Sequence, residues 1–305
     1  MSTTALVQLL YAALAVVMAG LGLSLRFSDF QRLRGHASAV AVALILQMVV
    51  LPLIALAINA AFHLSGYVAV GMILLAATPG SITANLYSHL FGGDVPFNLA
   101  LTGLNTFLCA LTLPLLGSWA LAYYVGAGQT LPILYDKAAQ TIGIVIIPVL
   151  LGMLVATKAP AVAARLNKPL KILSAVLIVV FSIAGIVKEW ATLSAGFAQI
   201  GGAILLFNGV CLLLGFVAAS LLRLERSLRI TMAFQACIHN AIQAIYIGIA
   251  VLNVTLAALP AAVYSITMNV FALGFGLAVL QLRRTRDRRI ASARPGHSSE
   301  AAARI

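Results

Sequence analysis

A chain of 305 residues that is 62% hydrophobic and only 9% charged is far too apolar for a soluble domain of ordinary composition. Its formal net charge of +12 does not mark a nucleic-acid binder, because the basic residues sit in short loops and a tail between apolar stretches, as positive-inside topology requires. Cys109, Cys211 and Cys237 fall within apolar stretches without paired spacing, which argues for buried thiols and against a disulfide framework or a CxxC metal site.

At roughly 20 apolar residues per crossing, the sequence predicts an all-α polytopic membrane protein of about nine spans. The first, 5–25, lacks a basic lead-in and a small-residue cleavage site and reads as a retained helix. A basic amphipathic loop, 26–34, leads to the second span, 37–61, which contains Gln47 and Pro52. The third, 67–91, is interrupted at Thr78-Pro79-Gly80-Ser81, where proline removes a helix donor and glycine loosens the backbone, so two half-helices are expected. The fourth, 95–125, places Asn98, Thr102, Asn105 and Thr106 close to one helix face. The fifth and sixth are 137–156 and 170–187, and the seventh is 200–222.

The eighth span, 228–252, carries Gln235, His239, Asn240 and Gln243, an unusual density of polar groups for hydrocarbon depth. Each such side chain needs a partner or water, and a single Asn or His often does no more than bond a neighbouring helix. Four together point to a functional site. The ninth span, 256–282, is followed by an arginine-rich stretch and a polar end expected to be disordered, so 283–305 reads as a cytoplasmic basic tail.

Lysine and arginine cluster after spans one, five, seven and nine, which puts the amino terminus outside and the carboxyl tail in the cytoplasm. Asp136, Lys137, Lys188 and Glu189 read as interface anchors, with a crevice mouth as the alternative. Each half of the chain holds one polar, broken span, around Asn85 and around His239, and matching helices would run in opposite directions. That is the inverted-repeat plan of secondary transporters, with paired discontinuous helices at the midplane. All seven acidic residues lie in loops, tails or span ends, so no carboxylate is available at mid-depth. The deep oxygens are neutral, from Gln47, Asn85, Asn98, Thr102 and Gln235, and His239 is the one deep ionisable group other than cysteine. No nucleophile, base and orienting group assemble into an enzyme site, and no ring of charge suggests a channel.

Ala77 to Asn85 (Ala-Thr-Pro-Gly-Ser-Ile-Thr-Ala-Asn), followed by Gly93-Asp94, resembles the bile acid:sodium symporter family, whose pattern there is close to Pro-Gly-Gly-Thr-Ala-Ser-Asn and then Gly-Asp or Gly-Asn. The entry Gly20-Leu-Gly-Leu-Ser-Leu-Arg-Phe-Ser-Asp-Phe30 and the Leu46-Gln47 segment ahead of Leu51-Pro52 extend the likeness over nearly the whole chain. It looks like a bacterial member, in the inner membrane, lacking the first helix of the ten-helix proteins.

The resemblance implies two crossed discontinuous helices in a core of spans two, three, four, seven, eight and nine, against a panel of spans one, five and six. It implies alternating-access transport of a small organic anion, bile acid-like, keto acid or pantoate-like, with no cofactor beyond a coupling sodium ion or proton. One sodium position maps to Ala84, Asn85, Asn98, Thr102 and Gln235, and a second to Gln47, Gln235, Ala236, Ile238 and His239. Gln235 stands where the family has Glu, Ala84 where it has Ser and His239 where it has Gln. These departures lead to the expectation of degenerate sodium sites with coupling through protons at His239. The alternatives are a sodium symporter with a weakened site, or a membrane sensor or channel. Substrate contacts map to Ile82, Thr83, Asn85, Asn240 and Asn269, with Met268 replacing the family's preceding His. The lipid bilayer is the other expected partner, and the sequence leaves the oligomeric state open.

Overall fold

The computed structural model describes residues 3–126, 131–195 and 197–292, and the fold is all-α. The first helix, α1 (Thr3–Ser24), leads through the short α2 (Asp29–Arg34), so part of the expected basic loop is helical. The second span is α3 (Ala37–Ile45), a π-helical turn at Leu46–Val50, and α4 (Leu51–Ala61). The π turn sits immediately before Pro52, whose missing N–H and ring bulk are accommodated by a widened turn. Gln47 lies within that turn and is buried.

The third span is broken as its sequence demands. α5 (Gly66–Ala77) ends at Thr78, whose backbone is extended, and α6 (Ile82–Phe91) starts after Ser81, whose hydroxyl accepts the Thr83 N–H. Gly92 closes α6 in the left-handed conformation at φ 80°, which a side chain would disfavour. Asp94 then caps α7 (Val95–Tyr124) by accepting the Phe97 N–H at 2.9 Å.

Next come α8 (Leu131–Lys158) and α9 (Pro160–Lys188). The sixth span is expected at 170–187, but α9 begins ten residues earlier and carries Pro169 inside it. Arg165, Lys168 and Lys171, expected in a loop, therefore lie on a helix, which keeps their backbone bonded while the Arg165 and Lys168 side chains stay exposed. The side chains of Asp136 and Lys137 lie outside the described residues. After α10 (Trp190–Ala195) and α11 (Phe197–Leu221), the eighth span is α12 (Arg226–Cys237), a break at 238–240, α13 (Ala241–Tyr246) and a second π turn at Ile247–Val251. The chain then enters α14 (Thr255–Ser292). The arginine-rich stretch after Leu282 thus continues the helix, and the polar end expected to be disordered lies outside the described residues beyond 292.

Four described stretches, Ala37–Ala61, Val95–Tyr124, Ile200–Leu221 and Thr255–Leu282, are long and apolar enough to cross a membrane unaided. Exposed Leu111, Leu115, Trp119, Ile147 and Leu151 give the outside an apolar surface, whereas Gln47, Asn98, Thr102, Gln235 and His239 are inside. Apolar out and polar in suits a hydrocarbon solvent. α1 packs along α8 and α9, while α5 packs against α7 and α14, and α11 against α12. The α1–α8 contact depends on small residues, since a Cβ on Gly22 would strike the Val149 carbonyl and come within 3.0 Å of the Gly152 Cα. Gly22→Leu should therefore force the two helices apart and cost about 1–3 kcal/mol, read as a lowered thermal midpoint in detergent.

Candidate functional site at the crossing of the two broken helices

Two unwound segments inside a membrane leave backbone groups that water cannot reach, and here they satisfy one another. Gly80 and His239 form an isolated antiparallel bridge. The Ser81 N–H donates to the Ile238 carbonyl at 2.9 Å, and the Asn240 N–H donates to the Pro79 carbonyl at 2.9 Å. The remaining carbonyls at the ends of α5 and α12 are met by side chains. Gln47 Nε2 donates to the Thr78 carbonyl at 2.7 Å and the Ala76 carbonyl at 3.3 Å, and the Tyr264 hydroxyl donates to the Cys237 carbonyl at 2.7 Å. Gly80 leaves room for the Gln235 carboxamide, which a Cβ there would displace.

His239 is wholly buried beneath this bridge. Its Nδ1 lies 3.2 Å from the Thr78 carbonyl and 3.3 Å from Gln47 Nε2, and because both Gln47 N–H hydrogens go to carbonyls, the tautomer that fits carries its proton on Nδ1 and donates it to Thr78. The ring stacks on Phe207, meets Tyr264 edge-on and turns Nε2 towards Cys211 Sγ at 4.0 Å. The imidazole thus fastens the two breaks together and joins them to α11 and α14.

On the other flank a second set of polar groups gathers around Gln235. Thr102 Oγ1 lies 3.0 Å from Gln235 Oε1 and 2.8 Å from the Asn98 carbonyl. Asn98 Nδ2 donates to Ser88 Oγ at 2.9 Å, while Asn98 Oδ1, both side-chain polar atoms of Asn85, and Gln235 Nε2 are buried without a protein partner. Such groups are costly unless something else bonds them. Asn85 Oδ1, Asn98 Oδ1, Thr102 Oγ1 and Gln235 Oε1 are neutral oxygens of the kind that a hard monovalent cation accepts. Among the described residues no cluster of three His, Cys, Asp or Glu side chains is present, so a site of transition-metal type is not formed. A void of about 10 Å³, close to the size of one water, lies between Gln47 and Gln235.

The expected substrate residues are less tightly grouped. Ile82 and Thr83 are half-buried at the start of α6, where the side chains are reachable. Asn240 is buried and turned inward, accepting the Gln243 N–H at 3.3 Å. Asn269 stands away from the bridge, with its Oδ1 accepting from the Tyr87 hydroxyl at 3.2 Å and its Nδ2 donating to the Ser265 carbonyl at 2.6 Å, which ties α6 to α14. Ala236 is buried, and the Ile238 carbonyl is committed to Ser81.

Sequence reasoning passed over Ser88, Thr231 and Tyr264. Ser88 is three residues beyond Asn85 and Thr231 four before Gln235, so helix spacing alone puts each on the face of a polar residue already singled out. Thr231 Oγ1 accepts the Asp94 N–H at 2.7 Å and so holds the start of α7, with Asn98 one turn further, against α12. Tyr264 carried no comparable signal.

A family model described as the Sodium Bile acid symporter family matches residues 11–195. The chain is 27% identical over 260 residues to an uncharacterized sodium-dependent transporter YocS of Bacillus subtilis, covering 84% of this chain and 78% of that one. It is 25% identical over 259 residues to the hepatic sodium/bile acid cotransporter of Rattus norvegicus, covering 82% and 68%. With the probable sodium/metabolite cotransporter BASS2 of Oryza sativa the match is 28% over 148 residues, 48% of this chain and 34% of the relative.

The stitching of the breaks makes a direct prediction. Gln47→Leu strips the Ala76 carbonyl of its side-chain donor and leaves the Thr78 carbonyl with His239 alone, at a depth without water, and should cost about 1–3 kcal/mol, measured as loss of thermal stability of the purified protein.

Proposed function

The chain belongs to the sodium bile acid symporter family, a family of transporters and not of enzymes, and from that membership and the crossing we propose a sodium-coupled carrier of a small organic anion. The observation that carries this reading is the set of buried, unpartnered oxygens on Asn85 and Asn98, on helices α6 and α7 that pack together, with Gln235 of α12 bonded to Thr102. A sodium ion entering there would join α6, α7 and α12, so ion binding would set the geometry of the start of α6. The substrate anion would meet the positive end of the α6 dipole at that start, beside Ile82 and Thr83, with Asn240 positioning the break from below.

The site is weak by design. A carboxylate would offset the cost of dehydrating sodium, whereas Gln235 offers only a dipole. The second sodium position implied by the resemblance is degenerate in a different way: Gln47 turns its nitrogen inward and His239 fills the space beside it. One weakly held sodium per cycle is therefore the preferred stoichiometry. Alternating access would move a core of spans two, three, four, seven, eight and nine against a panel of spans one, five and six. The Lys188 ammonium, 2.7 Å from Thr255 Oγ1, bridges α9 and α14 across that boundary and would act as a latch at the crevice mouth. The basic loops face the cytoplasm of a bacterial inner membrane in this reading.

The second reading is proton coupling through His239, favoured by the position of its Nδ1 between Gln47 and Thr78 at the bridge itself. Against it, among the described residues the ring meets Gln47, Thr78, Cys211, Phe207 and Tyr264, none of them a carboxylate, so an imidazolium there would be an unpaired buried charge. Uptake of bile acids, keto acids and pantoate-like anions into proteoliposomes, with sodium and pH gradients imposed separately, tests both. Sodium-driven uptake at equal pH supports the first reading, and uptake driven by pH alone in sodium-free medium overturns it. Gln235→Glu should lower the sodium concentration for half-maximal uptake on the order of tenfold, because the added charge outweighs its desolvation by a small margin. An unchanged sodium dependence would remove Gln235 from the ion site.

A further inference from the structure

Far from the crossing, two adjoining clefts of about 260 and 310 Å³ open where α12 begins. They share Arg226, Ile230 and Val279; Arg229 and Leu282 complete one of them, and Phe91 lies in the other. Arg226 Nη2 donates to the Val279 carbonyl at 3.0 Å, and Arg229 Nε to the Leu224 carbonyl at 2.7 Å. Each arginine is thus held in place by one nitrogen, while its other guanidinium donors meet no partner among the described residues. Among the described residues no carboxylate lines either cleft.

The depth of the clefts is fixed by the helices around them. The apolar stretches Ile200–Leu221 and Thr255–Leu282 both end at this level, and Leu282 is 70% exposed. The fixed guanidinium groups therefore sit where hydrocarbon gives way to headgroups, with an apolar wall of Phe216, Ile230 and Val279 below them. A ligand that fits has one face of negative charge bearing several acceptor oxygens and another of hydrocarbon. A free anion would leave the apolar wall bare, and a zwitterionic lipid would bring a cation against two arginines. We propose that the Arg226–Arg229 clefts bind an anionic glycerophospholipid, its phosphodiester taken by the two guanidinium groups and its acyl chains lying along Phe216 and Leu282. The bidentate geometry of arginine towards phosphate suits the first contact. Because the lipid would touch α11, α12 and α14 together, its binding braces the end of the second broken helix, whatever ion or substrate the crossing takes.

Native mass spectrometry and thermal unfolding of the full chain in detergent, with phosphatidylglycerol, phosphatidylcholine or inorganic phosphate added, test this site. Phosphatidylglycerol should be retained as a defined adduct and raise the unfolding midpoint, with phosphatidylcholine and phosphate doing neither. Removing each arginine, as Arg226→Gln and Arg229→Gln, should weaken retention about fivefold. Leu282→Glu adds a carboxylate at an exposed position without disturbing any hydrogen bond, and should do the same if the arginine variants fold poorly. Arg32→Gln removes an equal charge from α2 and should leave retention unchanged. Equal retention of phosphatidylcholine, an equal shift from phosphate alone, or an equal loss in Arg32→Gln overturns the assignment.

Discussion

Two backbone hydrogen bonds, Ser81 to Ile238 and Asn240 to Pro79, are what the rest of the molecule is arranged around. A helix broken inside a membrane exposes donors and acceptors that hydrocarbon cannot satisfy, so one broken helix alone would be severely destabilising. Two that cross at their breaks pay part of that cost for each other. The rest falls to Gln47, Tyr264 and His239, which bring the second span, α14 and α11 to the crossing. Their burial and bonding make them structural first, and any role in coupling must work through that structure.

The same arrangement explains why the polar groups divide into two sets. Those beside the bridge are bonded within the protein, and Gln47 and His239 leave little there for a ligand. Those around Asn85, Asn98 and Gln235 are buried yet incompletely bonded, and protein architecture rarely tolerates such groups without a use for them. Supporting contacts reach this second set from outside: Ser88 fixes Asn98, and Thr231 fixes the loop that starts α7. The neutral character of the set is the reason the proposed sodium site would be a weak one.

Much of this was legible in the sequence. The limits 37–61 and 95–125 follow from hydropathy alone, and the break at 78–81 follows from proline and glycine inside an apolar run. Gln235 and His239 stood out because a polar group in hydrocarbon is expensive. The π turns at Leu46–Val50 and Ile247–Val251 were not legible, since a widened turn changes hydrogen-bond register without changing the hydrophobic pattern. The early start of α9 was missed because Arg165, Asn167, Lys168 and Pro169 interrupt the apolar pattern, and hydropathy marks where a membrane begins and not where a helix does. Asn269 appeared as a substrate contact by position, yet its side chain is bonded to Tyr87 and Ser265, a pairing that depends on how α6 lies against α14.

The central claim is that a sodium ion binds among Asn85, Asn98, Thr102 and Gln235 and orders the crossing. Hydrogen–deuterium exchange of the purified protein in sodium chloride and in potassium chloride of equal ionic strength reads this at the level of peptides. Slower exchange in sodium, confined to segments containing 78–88, 95–105 and 231–241, is the predicted result. No difference between the two salts, or protection confined to the basic end around Arg226, would contradict it.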